Sequence, residues 1–369
     1  MAGTMNFFRA QDEARGRTTK LVVLLVLAIV VLAGSLYVLA VLGQQKLVRG
    51  GEIDWFQPKL FLATAGTALV VIIGGSLVRI AELSKGGGAI AERLGGRLVG
   101  ATTKDAAERR YLNVVQEMAL ASGLPVPLCY VIDGDETINA FAAGNSPQDA
   151  AVGVTRGALR NLNRDELQGV IAHEFSHIGN GDMKLNLRLI GAIAGLTALA
   201  QLGYIFFRLA GHVRGKNSAP IALGMVLVGV VVLLIGSGGI LFGKIIQASV
   251  SRQREYLADA SAVQFTRNPL GLASALRKVA GLSGAQREAS SAELEAQHMF
   301  FAGSAGFLES LFSSHPPISE RIRRVDPAFD GHIPDVAPVA VTADDEPVSG
   351  LSGRAVATPP PLPTPARAV

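Results

Sequence analysis

The chain of 369 residues contains one cysteine, Cys129. An intrachain disulfide is therefore impossible, thiolate zinc sites are excluded, and any metal must be held by histidine and carboxylate. Charge is also scarce, at 17% Asp, Glu, Lys and Arg, and the surplus of 34 basic over 30 acidic residues is too small to imply nucleic acid. No basic run interleaved with aromatics occurs, so no nucleic-acid partner is expected. What the chain has in quantity is apolar residues, gathered into blocks nearly free of charge, and such blocks require a lipid bilayer.

Four blocks read as membrane spans. Leu21 to Leu42 and Lys59 to Ile80 form a first hairpin, each long enough at 1.5 Å per residue to cross a hydrocarbon core of ~30 Å. The first run exceeds the apolar core of a signal peptide and a second span follows closely, so it is read as an anchor. Trp55 and Phe56, in the loop between them, suit a membrane interface. Leu189 to Leu209, interrupted by Gln201, and Ala219 to Ile246 form a second hairpin. The lack of charge inside the strong spans argues against a transporter with intramembrane polar sites.

Positive charge flanks the outer ends of the first hairpin, with Arg9, Arg15, Arg17 and Lys20 before it and Arg79, Lys85, Arg93 and Arg97 after it. The positive-inside rule then places the N-terminus and everything after residue 80 in the cytoplasm; the expected location is a bacterial inner (plasma) membrane. Arg208, Arg214 and Lys216 in the second hairpin's loop run against that rule, which leaves a re-entrant or shallow second hairpin open.

The expected organisation is a cytoplasmic N-terminal tail at 1–20, the transmembrane hairpin at 21–80, the first part of a catalytic domain at 81–188, the second hairpin at 189–246, the second part of that domain at 247–327, and a disordered Pro/Ala-rich tail at 328–369. Gly86-Gly87-Gly88 reads as a hinge between membrane and soluble domain. A helix is expected over 104–122, ended by Gly123, then a buried strand over 128–132 and a hairpin of short strands leading straight into the helix that carries the chemistry. Gly281 to Gln286 reads as a polar loop and His298 to Phe301 as an aromatic patch.

That helix contains His173-Glu174-Phe175-Ser176-His177. Residues four apart share one helix face, so His173 and His177 aim two imidazoles at one point, with Glu174 beside them as a candidate general base. Asn163 or Asp165 is a plausible cap, and Gly179 to Asp182 marks the end, with Asp182 a candidate cap there. A catalytic zinc takes a third protein ligand. Glu255 is the candidate, because Glu255 and Asp259 are four apart on one helix face. Asp259 would then reach the far nitrogen of a ligand histidine and fix its tautomer. The alternative for Glu255 is a surface ion pair with Arg252 or Arg254. Counting nine residues past the last apolar ones of the fourth span puts Glu255 about 13 Å above the membrane edge.

Five stretches in combination resemble the HtpX-like membrane zinc metalloproteases, the group that also contains the CAAX prenyl proteases: Asn139 to Gly144 (NAFAAG), Val154 to Leu159 (VTRGAL), His173 to Asp182 (HEFSHIGNGD), Ser251 to Ala262 (SRQREYLADASA) and His315 to Ile322 (HPPISERI). The resemblance covers about residues 91–326. It implies a mainly α fold with a small β-sheet, in which four transmembrane helices accompany a cytoplasmic zincin-like metalloprotease domain that uses Zn2+. It strengthens His173, His177 and Glu255 as metal ligands, Glu174 as the catalytic base and Asp259 behind a ligand. It further implies that His315 and Arg321 stabilise the oxyanion, and that Asn139, Ala140, Phe141 and Ala142 form an edge strand that pairs with extended substrate. For His315 the residues alone also allow a surface turn that caps the next helix.

The expected function is a membrane-integrated zinc-dependent endopeptidase that cleaves membrane or misfolded proteins near the cytoplasmic face. Its partners would be protein substrates and the lipid bilayer. Two other readings are a catalytically inactive membrane scaffold and a CAAX-type prenyl protease. An intact glutamate beside His173 argues against the first, and prenyl-protease relatives carry more spans than the four counted here.

Overall fold

The computed structural model describes residues 7–44, 53–215, 218–282 and 315–333. Ten helices and a four-stranded sheet lie among them. In chain order they are α1 (Phe7–Gln44), α2 (Pro58–Leu83), α3 (Gly87–Arg93), β1 (Arg97–Leu98), α4 (Ala106–Ser122), β2 (Leu128–Ile132), β3 (Ala140–Ala143), β4 (Ala151–Thr155), α5 (Arg156–Asn161), α6 (Arg164–Gly179), α7 (Asp182–Ala210), α8 (Ser218–Thr266), α9 (Pro269–Leu282) and α10 (Ile318–Val325). The fold is mainly α with a small mixed sheet.

Helices α1, α2, α7 and α8 are long and apolar enough to cross a membrane, which makes this an integral membrane protein. Their outward faces are apolar and exposed, with Val31, Val70, Leu234 and Leu223 each at least 60% accessible. That is the reverse of a soluble surface and what lipid demands. Between lipid-facing helices the hydrophobic effect contributes little, so close packing holds them together. A Cβ on Gly195 of α7 would lie 2.1 Å from the Ile72 carbonyl of α2, and one on Gly203 would lie 2.4 Å from Leu233 N of α8. Only glycine admits these approaches. α7 and α8 are unbroken over 29 and 49 residues, with no re-entrant turn. In α2, a wide π turn over Leu62–Gly66 interrupts the α-helical pattern.

The helix of the first span begins at Phe7, so residues 7–20 are no free tail. Gln11, Ala14 and Thr18 recur at helical spacing and are all buried. Gln11 Nε2 donates to Ser261 Oγ at 3.2 Å and to Gln264 Oε1 at 2.8 Å on α8, which fixes this face against the end of the fourth span. Nor is Gly86 to Gly88 a loose hinge. Gly86 has φ 84, the Gly87 N–H donates to the Asp149 carbonyl at 3.1 Å, and a Cβ on Gly87 would meet the Ala143 carbonyl at 2.4 Å. The glycines dock α3 onto the sheet.

The sheet order is β1-β2-β4-β3. β2 and β4 run parallel from Leu128↔Ala151 to Ile132↔Thr155, while β3 returns antiparallel on the outer side with Ala140 opposite Val154. α4 starts on Asp105, whose carboxylate accepts from the Ala107 and Glu108 N–H groups, and ends at left-handed Gly123. The hairpin does not lead straight into α6. Thr155 caps the short helix α5 by accepting from Ala158 N, and α6 starts only after it. There Asn163 and Glu166 form a reciprocal capping box, so Asn163 rather than Asp165 is the cap. The core of this part joins Tyr111, Phe175, Leu167, Ile171, Leu272 and Ile322. It extends past residue 327, because Phe329 is buried in it and the Arg277 guanidinium sits 5.2 Å from its ring centre. Residues 283–286 of the polar loop, the 298–301 aromatic patch and the tail from 334 lie outside the described residues.

Candidate metal centre

α6 is almost wholly buried, and its buried face carries His173, Glu174 and His177. The far end of α8 crosses it and supplies Glu255 and Asp259, both buried. His173 Nε2 lies 3.1 Å from His177 Nε2, Glu255 Oε2 lies 3.5 Å from His173 Nε2, and Glu255 Oε1 lies 3.5 Å from His177 Nε2. Four ligands arranged tetrahedrally at zinc-type bond lengths stand about 3.3 Å apart. The three donors thus fit one small divalent ion, in a set of two imidazoles and one carboxylate.

Each imidazole is also held from behind. His173 Nδ1 lies 3.0 Å from Asp259 Oδ1, and His177 Nδ1 lies 2.7 Å from Asp182 Oδ2. These contacts turn both Nε2 atoms toward the common point and fix the tautomer, as ligand histidines require. Asp259 is where its four-residue spacing from Glu255 places it. Asp182 is not the cap at the end of α6 that its position suggested: Asn180 is the residue that ends α6, and Asp182 is the first residue of α7. Arg254 pairs with Asp182 and donates to the Asn180 carbonyl at 2.8 Å. Arg254 is therefore turned away from Glu255, and Arg252 donates to Ser249. The sequence signal for Asp182 was its position five residues after His177, but its partner Arg254 lies 72 residues on.

Arg321 of α10 is the largest fully buried side chain among the described residues. Its Nε and Nη2 reach the two Asp259 carboxylate oxygens at 2.9 and 2.7 Å, and Nη1 lies 3.1 Å from Glu255 Oε2. His315 Nδ1 is 3.1 Å from that same oxygen. Without the Arg321 guanidinium two buried carboxylates would face each other uncompensated. Glu174 is 1% exposed, and its Oε2 has no hydrogen-bond partner among the described residues. Burial pushes its carboxyl pKa up, against the pull of the His177 and His173 imidazoles. β3, the strand that begins at Ala140 just after Asn139, packs against α6 as the outer strand of the sheet. Phe141 and Ala142 are buried there.

The sequence profile of peptidase family M48 matches residues 105–328, which takes in every element from α4 to α10. The chain belongs to peptidase family M48. An M48 chain with four membrane-length helices is a membrane metalloprotease, and the relatives agree. The chain is 42% identical over 232 residues to the protease HtpX homolog of Caldanaerobacter subterraneus subsp. tengcongensis, covering 62% of this chain and 75% of that one. It is 40% identical over 216 residues to the protease HtpX homolog of Thermoanaerobacter pseudethanolicus, covering 58% and 70%. Among solved structures, Ste24p of S. mikatae aligns over 73% of this chain and 64% of that one at 15% identity, with a TM-score of 0.39, a level at which nothing transfers.

Proposed function

We propose that this M48 peptidase is a zinc-dependent endopeptidase that hydrolyses peptide bonds of membrane or misfolded proteins at the cytoplasmic face of a bacterial inner membrane. The observation that carries this reading is the meeting of His173, His177 and Glu255 around one point with Glu174 adjoining, at the end of a helix that is itself a membrane span. His173, His177 and Glu255 would hold the metal. Bound there, zinc would polarise the scissile carbonyl and lower the pKa of a water molecule.

Glu174 takes the proton of the attacking water and passes it to the leaving amine. Burial raises its pKa, which strengthens it as a base toward that proton. His315 donates to the developing oxyanion. For Arg321 the contacts favour another part from the one the family resemblance implied. With its guanidinium engaged by Asp259 and Glu255, it holds those carboxylates in place and acts on the reaction through them. Extended substrate adds to β3 along Asn139 to Ala142, by backbone pairing on the strand's outer side.

The orientation rests on Arg9, Arg15, Arg17 and Lys20 before the first span and Arg79 after the second. With four membrane-length helices among the described residues, a prenyl-protease reading is not favoured. The decisive experiment is Glu174→Gln in purified protein. We expect zinc content to stay at the wild-type level and cleavage of a membrane-protein substrate to fall by at least about 10²-fold, the scale of general-base catalysis. Retained cleavage would refute the role of Glu174. Failure to cut either a membrane-embedded protein or a soluble unfolded one would refute the substrate class.

A further inference from the structure

Residues 7–20, the part of α1 that precedes the first span, lie well outside the stretch matched by the family. This segment is tied to both histidines' supports, by two separate routes. On one side, Arg15 Nη2 donates to Asn180 Oδ1 at 3.0 Å. Asn180 in turn donates through Nδ2 to the Ser176 carbonyl at 3.0 Å, next to His177, and its own carbonyl accepts from Arg254, the partner of Asp182. On the other side, Glu13, Ala14 and Arg17 wall a cavity of about 50 Å³ shared with Tyr256, Asp259 and Arg324. The Arg324 guanidinium stacks on the Tyr256 ring at 3.5 Å, which closes that side. Asp259 is the carboxylate behind His173.

One helical stretch therefore reaches Asp182 through Asn180 and Arg254, and lines the space beside Asp259, the group that orients His173. Gln11, with its two bonds to Ser261 and Gln264, clamps the stretch to α8 within two turns of Asp259. Because α1 continues into the bilayer without a break, the same helix joins these supports to the membrane.

We propose that residues 7–20 are a positioning element of the metal centre, which sets the orientation of the Asp182 and Asp259 carboxylates and thereby the hold on the metal. This rests on the zinc site proposed above. An ion held by two supported imidazoles loses affinity when those supports drift, on the order of 10- to 100-fold for a disturbed support.

The test uses the full chain in nanodiscs, as wild type, Gln11→Ala/Arg15→Ala, Ala14→Glu and Arg15→Lys. Ala14 is 4% exposed, so a glutamate there, beside Glu13 and Asp259, pries the segment away. Three quantities are measured: zinc content, the rate of zinc loss to excess EDTA, and Tm with and without zinc. We expect the double variant and Ala14→Glu to release zinc at least about tenfold faster and to show a smaller zinc-induced rise in Tm. Arg15→Lys, which can still donate to Asn180, should stay near wild type. If Ala14→Glu does not fold, the double variant, which removes only three hydrogen bonds, carries the test. Zinc release matching wild type overturns the proposal, and so does a fall in Tm of equal size with and without zinc, which marks a merely structural part. Wild-type protein that takes up no zinc would instead sink the metal reading, and the proposal with it.

Discussion

Two aspartates illustrate what residue spacing can and cannot foretell. Asp259 stands four residues after Glu255, and helical geometry alone puts both on one face. Asp182 lies five residues after His177 and stands in the same relation to it, but its other oxygen is held by Arg254, which the pairing of two antiparallel membrane helices brings to it. Both supports are expected to matter alike: Asp182→Asn and Asp259→Asn should each lower zinc affinity about 10- to 100-fold, measured by competition with a chromogenic chelator. Equal affinity in either variant would mean that its aspartate merely fills space. Arg321 marks the opposite limit. Its place in the HPPISERI stretch was legible, but the contacts that engage its guanidinium come from α8, 62 residues earlier in the chain.

At the scale of elements, local signals were strong wherever the chain closes its own hydrogen bonds. α6 begins at a capping box written into four consecutive residues, Asn163 to Glu166. Asn163→Ala should destabilise the protein by about 1 kcal/mol, read from chemical denaturation of the detergent-solubilised chain. Strand β2 and the end of α4 at Gly123 were equally local. The α5 turn between β4 and α6 was not, because its six residues have no periodicity long enough to read. The close crossing of α7 and α8 could not be inferred from composition either, since glycine in an apolar run is ambiguous. Gly203→Val should force those helices apart, and we expect a marked drop in Tm with loss of zinc, while the same change at Gly238, where a Cβ would meet nothing, should be tolerated.

On the scale of the whole molecule, the ionic network at the far edge of the sheet ties elements that are remote in sequence. Asp133, after β2, bonds Arg97 of β1 at 2.7 Å and pairs with Arg156 of α5. The Arg97 hydrogen bonds hold the Asp133 carboxyl down at about 2, against 3.8 for a free aspartate. A depressed carboxylate contributes its stabilisation fully above the unfolded value and loses it as pH falls through the folded one. Acid unfolding should therefore steepen between about pH 4 and pH 2, and Asp133→Asn should flatten that limb of a Tm-against-pH curve. The effect should be modest, as Asp133 is partly exposed and screened by solvent.

Apolar block length, the two histidines four apart and the single cysteine were enough, by themselves, to point to a membrane chain with a candidate metal site of histidine and carboxylate, because each depends only on helix rise, side-chain periodicity and donor chemistry. How Arg254 holds Asp182, which carboxylates engage Arg321 and how residues 7–20 lie against α8 were decided by tertiary structure alone. Those relations are distances between residues far apart along the chain, and only the packing of helices against one another sets them.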